Sequence, residues 1–166
     1  MSTNQKVLVV FYSLEGNTRL IAQTIATATQ GDLLELKPTA AIKATGFMKY
    51  LWGGRQVVMK ETPELLPWTQ NPNDYDLLFI GTPVWAFSFA PALNSFFKHV
   101  KITGKKIALF CCNEGGRGKT FENMKAALSG NDFRGEMEFI APLKKNTVAK
   151  NEEKAQQWAE EVINSL

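Results

Sequence analysis

Three short runs constrain this chain more than any other feature: "KVLVVFY" at residues 6–12, "DLLFIG" at 76–81 and "KIALFCC" at 106–112. A strand with water on one face alternates apolar and polar residues, and these do not alternate. Both of their faces must be covered, which is the condition of a parallel sheet clad by helices on each side. Helical spacing fills the gaps. Leu20, Ile21, Ile25 and Ala28 share a face between residues 17 and 30, and "QGD" after them places Gly31 as a C-terminal cap. Leu93, Phe96, Phe97 and Val100 follow Pro91, a residue suited to a first helical position. Phe121, Met124 and Leu128 line a helix over 119–129, and Ala155, Trp158, Ala159, Val162, Ile163 and Leu166 line another over 151–166. "LLELK" at 33–37 and the start of "GEMEFIAPL" at 135–143 alternate and read as edge strands.

Five strands separated by helices predict an α/β fold in three layers, with a doubly wound parallel sheet. The chain has 166 residues, 45% of them hydrophobic, which suits a single domain over 1–166 with a two-sided core. One region breaks the short-connection rule. Between 38 and 73 no strand is evident, yet Phe47, Tyr50, Leu51, Val57, Val58 and Met59 make it too apolar for a disordered linker. The expectation is a helix interrupted near Gly53 and Gly54, then the proline-bearing "TPELLPWTQNPND". Its apolar side chains suit either a pocket wall or the interface of a homodimer.

Several classes of function find little support. The 19 basic and 16 acidic residues give a net charge of +3 without a basic stripe, so no nucleic-acid partner is expected. The clusters in "KHVKITGKK" and "LKKNTVAK" read as solvated helix ends or loops. No apolar run reaches spanning length and no signal-peptide pattern opens the chain, so the expectation is a cytoplasmic protein without a membrane partner. Cys111 and Cys112 are adjacent, and neighbours on a strand face opposite ways, so a disulfide between them is disfavoured. They read as small core residues, with a redox-active thiol as the sharper alternative. His99 is the sole histidine and sits at a helix end, so neither a metal set nor a Ser-His-Asp arrangement is in view.

Ligands of open parallel sheets bind beyond the carboxyl ends of the strands. The loops that follow the three buried runs are therefore the informative ones. In "SLEGNT", Ser13 and Thr18 offer hydroxyls, Gly16 lets the backbone curl, and the helix starting near Asn17 points free amides and its positive dipole end the same way. Those are the parts of a phosphate cradle, although Ser13 or Asn17 could simply cap the helix. In "TPVWAF", Pro83 stiffens a loop that carries Trp85 and Phe87, and Trp85 could stack on a planar ligand or pack on the segment 47–52. In "NEGGRG", Gly115, Gly116 and Gly118 permit close approach of backbone to a ligand.

Taken in register, "SLEGNT", "GTPVWAFSFAP" and "CCNEGGRGKTF" resemble the flavodoxin family over nearly the whole chain, in its short-chain form. The resemblance implies a five-stranded parallel sheet in the order 2-1-3-4-5 and a non-covalently bound FMN. It implies that Ser13, Leu14, Glu15, Gly16, Asn17 and Thr18 hold the phosphate. Thr82, Pro83, Val84, Trp85, Ala86 and Phe87 would flank the isoalloxazine, with Trp85 stacking, and Asn113, Glu114, Gly115, Gly116 and Gly118 would line its polar edge. The function implied is electron transfer to a redox partner protein, or oxidation of NAD(P)H coupled to reduction of a quinone-like or nitro acceptor. Three departures stand out: Glu15 replaces a hydroxyl residue, the third loop lacks an aromatic, and the net charge is positive where electron carriers of this kind are acidic.

Overall fold

A computed structural model of the chain describes residues 5–40 and 61–166. Strands β1 (Val7–Phe11), β2 (Asp32–Glu35), β3 (Leu77–Trp85), β5 (Lys106–Asn113) and β6 (Asp132–Ile140) lie parallel in the order β2-β1-β3-β5-β6. The two-residue β4 (Ser88–Phe89) folds back antiparallel on the end of β3. With that hairpin strand set aside, the order is the expected 2-1-3-4-5.

The unbroken apolar runs follow from two cores. Val7, Val9 and Phe11 of β1 face Ile21 and Ile25 of α1 (Asn17–Thr29) and Ala155 and Trp158 of α4 (Val148–Asn164). Leu8 and Val10 face the other core, with Leu93 and Phe96 of α2 (Pro91–His99) and Phe121 and Met124 of α3 (Thr120–Ala127). Trp158 anchors the first core, its ring edge-on to Phe79 and Phe110 at centroid distances of 5.4 and 6.5 Å. Cys111 and Cys112 part as expected, one thiol in each core.

Several boundaries differ from the sequence reading. Helix α1 ends on Gln30, which takes the left-handed conformation at φ 53°, while Gly31 does not. Gly31 serves close packing instead, since a Cβ there would lie 3.0 Å from the Val7 side chain. Strand β3 continues through Thr82, Pro83, Val84 and Trp85, which read as a loop. At Pro83 the strand has outrun β1, whose pairing ends at Gly81, and such a free edge tolerates proline. Strand β6 begins at Asp132, with an irregularity that makes Ile107 and Ala108 oppose Phe133 and Gly135. Residues 61–71 run without helix, and Leu65 bridges antiparallel to Pro38 beside β2. The helix expected near Gly53 and Gly54, and the apolar set from Phe47 to Met59, lie outside the described residues.

Candidate functional site

All three buried strands stop at the same edge, and the segments that follow them close a cleft of about 370 Å³. That volume lies within the ~300–1,000 Å³ usual for small-molecule sites. Its walls are Ser13, Leu14, Glu15, Asn17 and Thr18 from the first loop, Pro83, Val84, Trp85 and Ala86 from the second, and Cys112, Asn113 and Glu114 from the third. Eleven of these twelve are residues the sequence singled out.

The first loop turns on Gly16, whose φ of 100° is one that a side chain disfavours. Ser13 closes it: its Oγ accepts the N–H groups of Gly16 and Arg19 at 3.1 and 3.2 Å. Ser13 therefore takes an N-terminal amide of α1, as a capping group does, and still keeps its own O–H to donate. The backbone amides of Glu15, Asn17 and Thr18 have no partner among the described residues. Thr18 itself is buried, and its Oγ1 has no hydrogen bond of ordinary geometry among the described residues. That oxygen lies against the Cys112 thiol, near enough to soften the effect of burial, which pushes the thiol up to about 12. Burial also pushes the Cys111 thiol up, further than its neighbour's. Neither thiol is therefore activated at neutral pH, which argues against the redox-active alternative. Glu15 is exposed, so its charge can turn to water.

Asn17 reaches across to the loop after β6, its Oδ1 accepting the Leu143 N–H at 2.9 Å. Arg19 is committed elsewhere, paired through its guanidinium with Glu35 at the end of β2. The first loop thus offers neutral donors and a helix terminus rather than a cation.

The second loop is a two-residue hairpin in which Ala86 and Phe87 both adopt positive φ, 48° and 62°, between the paired Trp85 and Ser88. Trp85 sits at the strand end rather than in a turn, and it is 8% exposed with its ring edge-on to Tyr12 at 5.3 Å. Burial pushes the Tyr12 hydroxyl up to about 12. Thr82 does not reach the cleft: it is fully buried, and its Oγ1 accepts the Ala90 N–H at 2.9 Å. Phe87 is 52% exposed and stands outside the cleft wall.

Of the third-loop residues singled out by the sequence, Asn113 and Glu114 line the cleft. Gly115 and Gly116 have open space where a Cβ would stand. Gly118, at φ 53°, is required by packing, because a Cβ there would lie 2.5 Å from the Phe87 Cβ. Its neighbour Lys119 donates its N–H to the Phe87 carbonyl at 2.9 Å, so the second and third loops are tied together. Cys112 is the wall residue that the sequence reading left in the core. The available signal was its place as the last residue of a buried run, one position before the loop. His99 ends α2 with its Nδ1 2.7 Å from the Ser95 carbonyl, a helix-end role as expected. Among the described residues no His, Cys, Asp and Glu cluster could hold a metal, and no helix is long and apolar enough to cross a membrane.

No curated protein matches the chain. Among solved structures it is similar to a candidate flavoprotein from Bacteroides eggerthii at 21% identity, covering 95% of this chain and 98% of that one, with a TM-score of 0.76. A flavoprotein from Lactobacillus acidophilus, solved in complex with FMN, is 23% identical over 81% of this chain and 93% of its own, with a TM-score of 0.67. Oxidised Flavodoxin 2 from Bacillus cereus is 18% identical over 97% of this chain and 99% of its own, at a TM-score of 0.59. At these identities the likeness is one of fold. The profile of the family described as Flavodoxin matches residues 6–161, and the chain belongs to the flavodoxin family.

Proposed function

We propose that the chain binds FMN in the cleft between the three loops and serves as an electron-transfer protein. The observation that carries this reading is Thr18. Its hydroxyl is buried at a helix N-terminus, has no partner among the described residues beyond a weak contact with the Cys112 thiol, and borders a cleft whose nearby backbone amides are also unpartnered among those residues. A buried polar atom of this kind costs free energy unless something accepts from it or donates to it. A phosphate group supplies acceptor oxygens and negative charge, which a helix N-terminus favours. The donor set therefore fits the phosphate of FMN, and the apolar wall of Pro83, Val84 and Trp85 fits a planar ring.

In this reading Thr18, Ser13 and the amides of Glu15, Asn17 and Thr18 would hold the phosphate. Trp85 would cover the ring and, with Val84, exclude water from it. Asn113 and Glu114 would present polar groups from the opposite side. FMN when bound supplies one-electron and hydride chemistry; the chain supplies position, shielding and electrostatics.

A second reading, an FMN-dependent NAD(P)H oxidoreductase, is favoured by one observation. Gly115 and Gly116 have open space beside them among the described residues, so beyond Asn113 and Glu114 these two positions put no side chain over the cleft, and a nicotinamide or small acceptor could approach there. An anaerobic titration of the FMN-loaded protein with NADPH and then NADH separates the two. Electron transfer to a protein partner predicts that neither bleaches the flavin absorbance while dithionite does. Rapid bleaching by either nucleotide would instead make the protein an oxidoreductase.

A further inference from the structure

The third loop contains a part-buried connection that the family resemblance does not assign. Asn113 borders the cleft, and both ends of its amide are engaged. Its Nδ2 donates to Glu138 Oε1 at 2.6 Å, and its Oδ1 accepts the Gly116 N–H at 2.8 Å. Both contacts specify the same orientation. Rotating the amide would set its oxygen against a carboxylate and its NH2 against an N–H. Glu138 reaches this point because β6 pairs it with Cys111, two positions before Asn113, while the Ala141 N–H is held by the Asn113 carbonyl at 2.8 Å.

The carboxylate is half-buried and has no ion-pair partner among the described residues. Lys154 Nζ is near but donates to the backbone carbonyl of Glu138 at 2.7 Å, and Arg117 turns to Glu122 at 3.4 Å. The charge of Glu138 is felt at the carboxyl edge of the sheet, where it contributes to raising the Cys111 thiol, with Arg117 acting the other way. A half-buried, unneutralised carboxylate is thus one hydrogen-bonded residue from the cleft, where charge is screened less than at the open surface.

We infer that Glu138 is a positioning residue of the cleft: through Asn113 it fixes the third loop, and its charge opposes the addition of negative charge to a group bound there. The inference rests on the FMN reading above. An electron delivered into the cleft adds charge that the carboxylate repels, so Glu138 lowers the reduction potential of the bound flavin.

Two variants separate the roles. Glu138→Gln retains an acceptor for Asn113 without the charge; Glu138→Leu removes both. Measured on FMN-loaded protein, the midpoint potential is expected to rise in both variants relative to wild type. FMN affinity is expected to fall by about tenfold in Glu138→Leu and by less in Glu138→Gln. In ligand-free protein, amide exchange at Gly116 should quicken in Glu138→Leu and stay slow in Glu138→Gln. That readout reports the loop whether or not flavin is present. Normal FMN uptake with both potentials and Gly116 exchange matching wild type would overturn this inference alone. A wild-type protein that takes up no FMN would overturn the function reading and this inference with it.

Discussion

Thr18 combines burial with an unsatisfied hydroxyl, and the two properties make opposite predictions for folding and for binding. Replacing it by Val removes a buried polar atom that the chain leaves unpaired, so thermal stability should hold or rise slightly. FMN affinity should fall by about tenfold, from loss of roughly 1–1.5 kcal/mol of hydrogen bonding. Equal losses in both would make Thr18 a structural residue. Trp85 behaves differently, because the same ring serves core and cleft. Trp85→Ala should cost about 3 kcal/mol of stability as a core truncation and weaken FMN by a further 1–3 kcal/mol, read by denaturation and by flavin-fluorescence titration. The hydroxyls of the first loop were legible because a Ser, a Gly and a Thr between a strand and a helix have few other uses. The role of Gly118 was not legible: its positive φ and its contact with Phe87 depend on a loop distant in sequence.

At the scale of elements, the loop of residues 141–147 secures the first loop. Asn17 Oδ1 takes the Leu143 N–H, and Thr147 Oγ1 donates back to the Ala141 carbonyl at 2.8 Å. Asn17→Ala should release this brace at a cost of about 1 kcal/mol, with faster amide exchange at Leu143 as the specific sign. Unchanged exchange there would show that the brace is not held by Asn17. The buried strands were read correctly because a run without alternation leaves few options. The extension of β3 to Trp85 was hidden, since Thr82 and Pro83 carry the composition of a turn. Proline is admissible there only because β1 has already ended, a tertiary fact that no local pattern records. The start of β6 was hidden for a related reason: Asp132 and Arg134 are polar edge residues, ion-paired to each other at 2.5 Å. Gln30 takes the left-handed cap position, and Gly31 packs against Val7 instead, a contact no local pattern records.

Across the whole molecule, two thiols and two phenols among the described residues hold their protons more tightly in the fold than out of it. Burial raises both thiols and Tyr12, and burial followed by the hydrogen bond to Asp32 raises Tyr75 to about 12. Unfolded thiols and phenols ionise near ~8.5 and ~10. From there to about pH 12 the native state binds more protons than the unfolded one, so stability is full below that window and falls through it. Urea midpoints measured at pH 8, 9.5 and 11 should decline in that order; a flat profile would mean that these groups titrate freely in the native state. The net charge of +3 also has a molecular consequence. Long-range steering toward a strongly basic partner is not expected from it, and association with a redox partner should depend weakly on salt. The proposed hold on FMN is through its phosphate, and a calorimetric titration of flavin-free protein with FMN and, separately, with riboflavin, which has the same ring without the phosphate, tests it most directly. One-to-one binding of FMN, with riboflavin at least tenfold weaker, is the predicted result; equal affinity for both, or no heat from either, would contradict it.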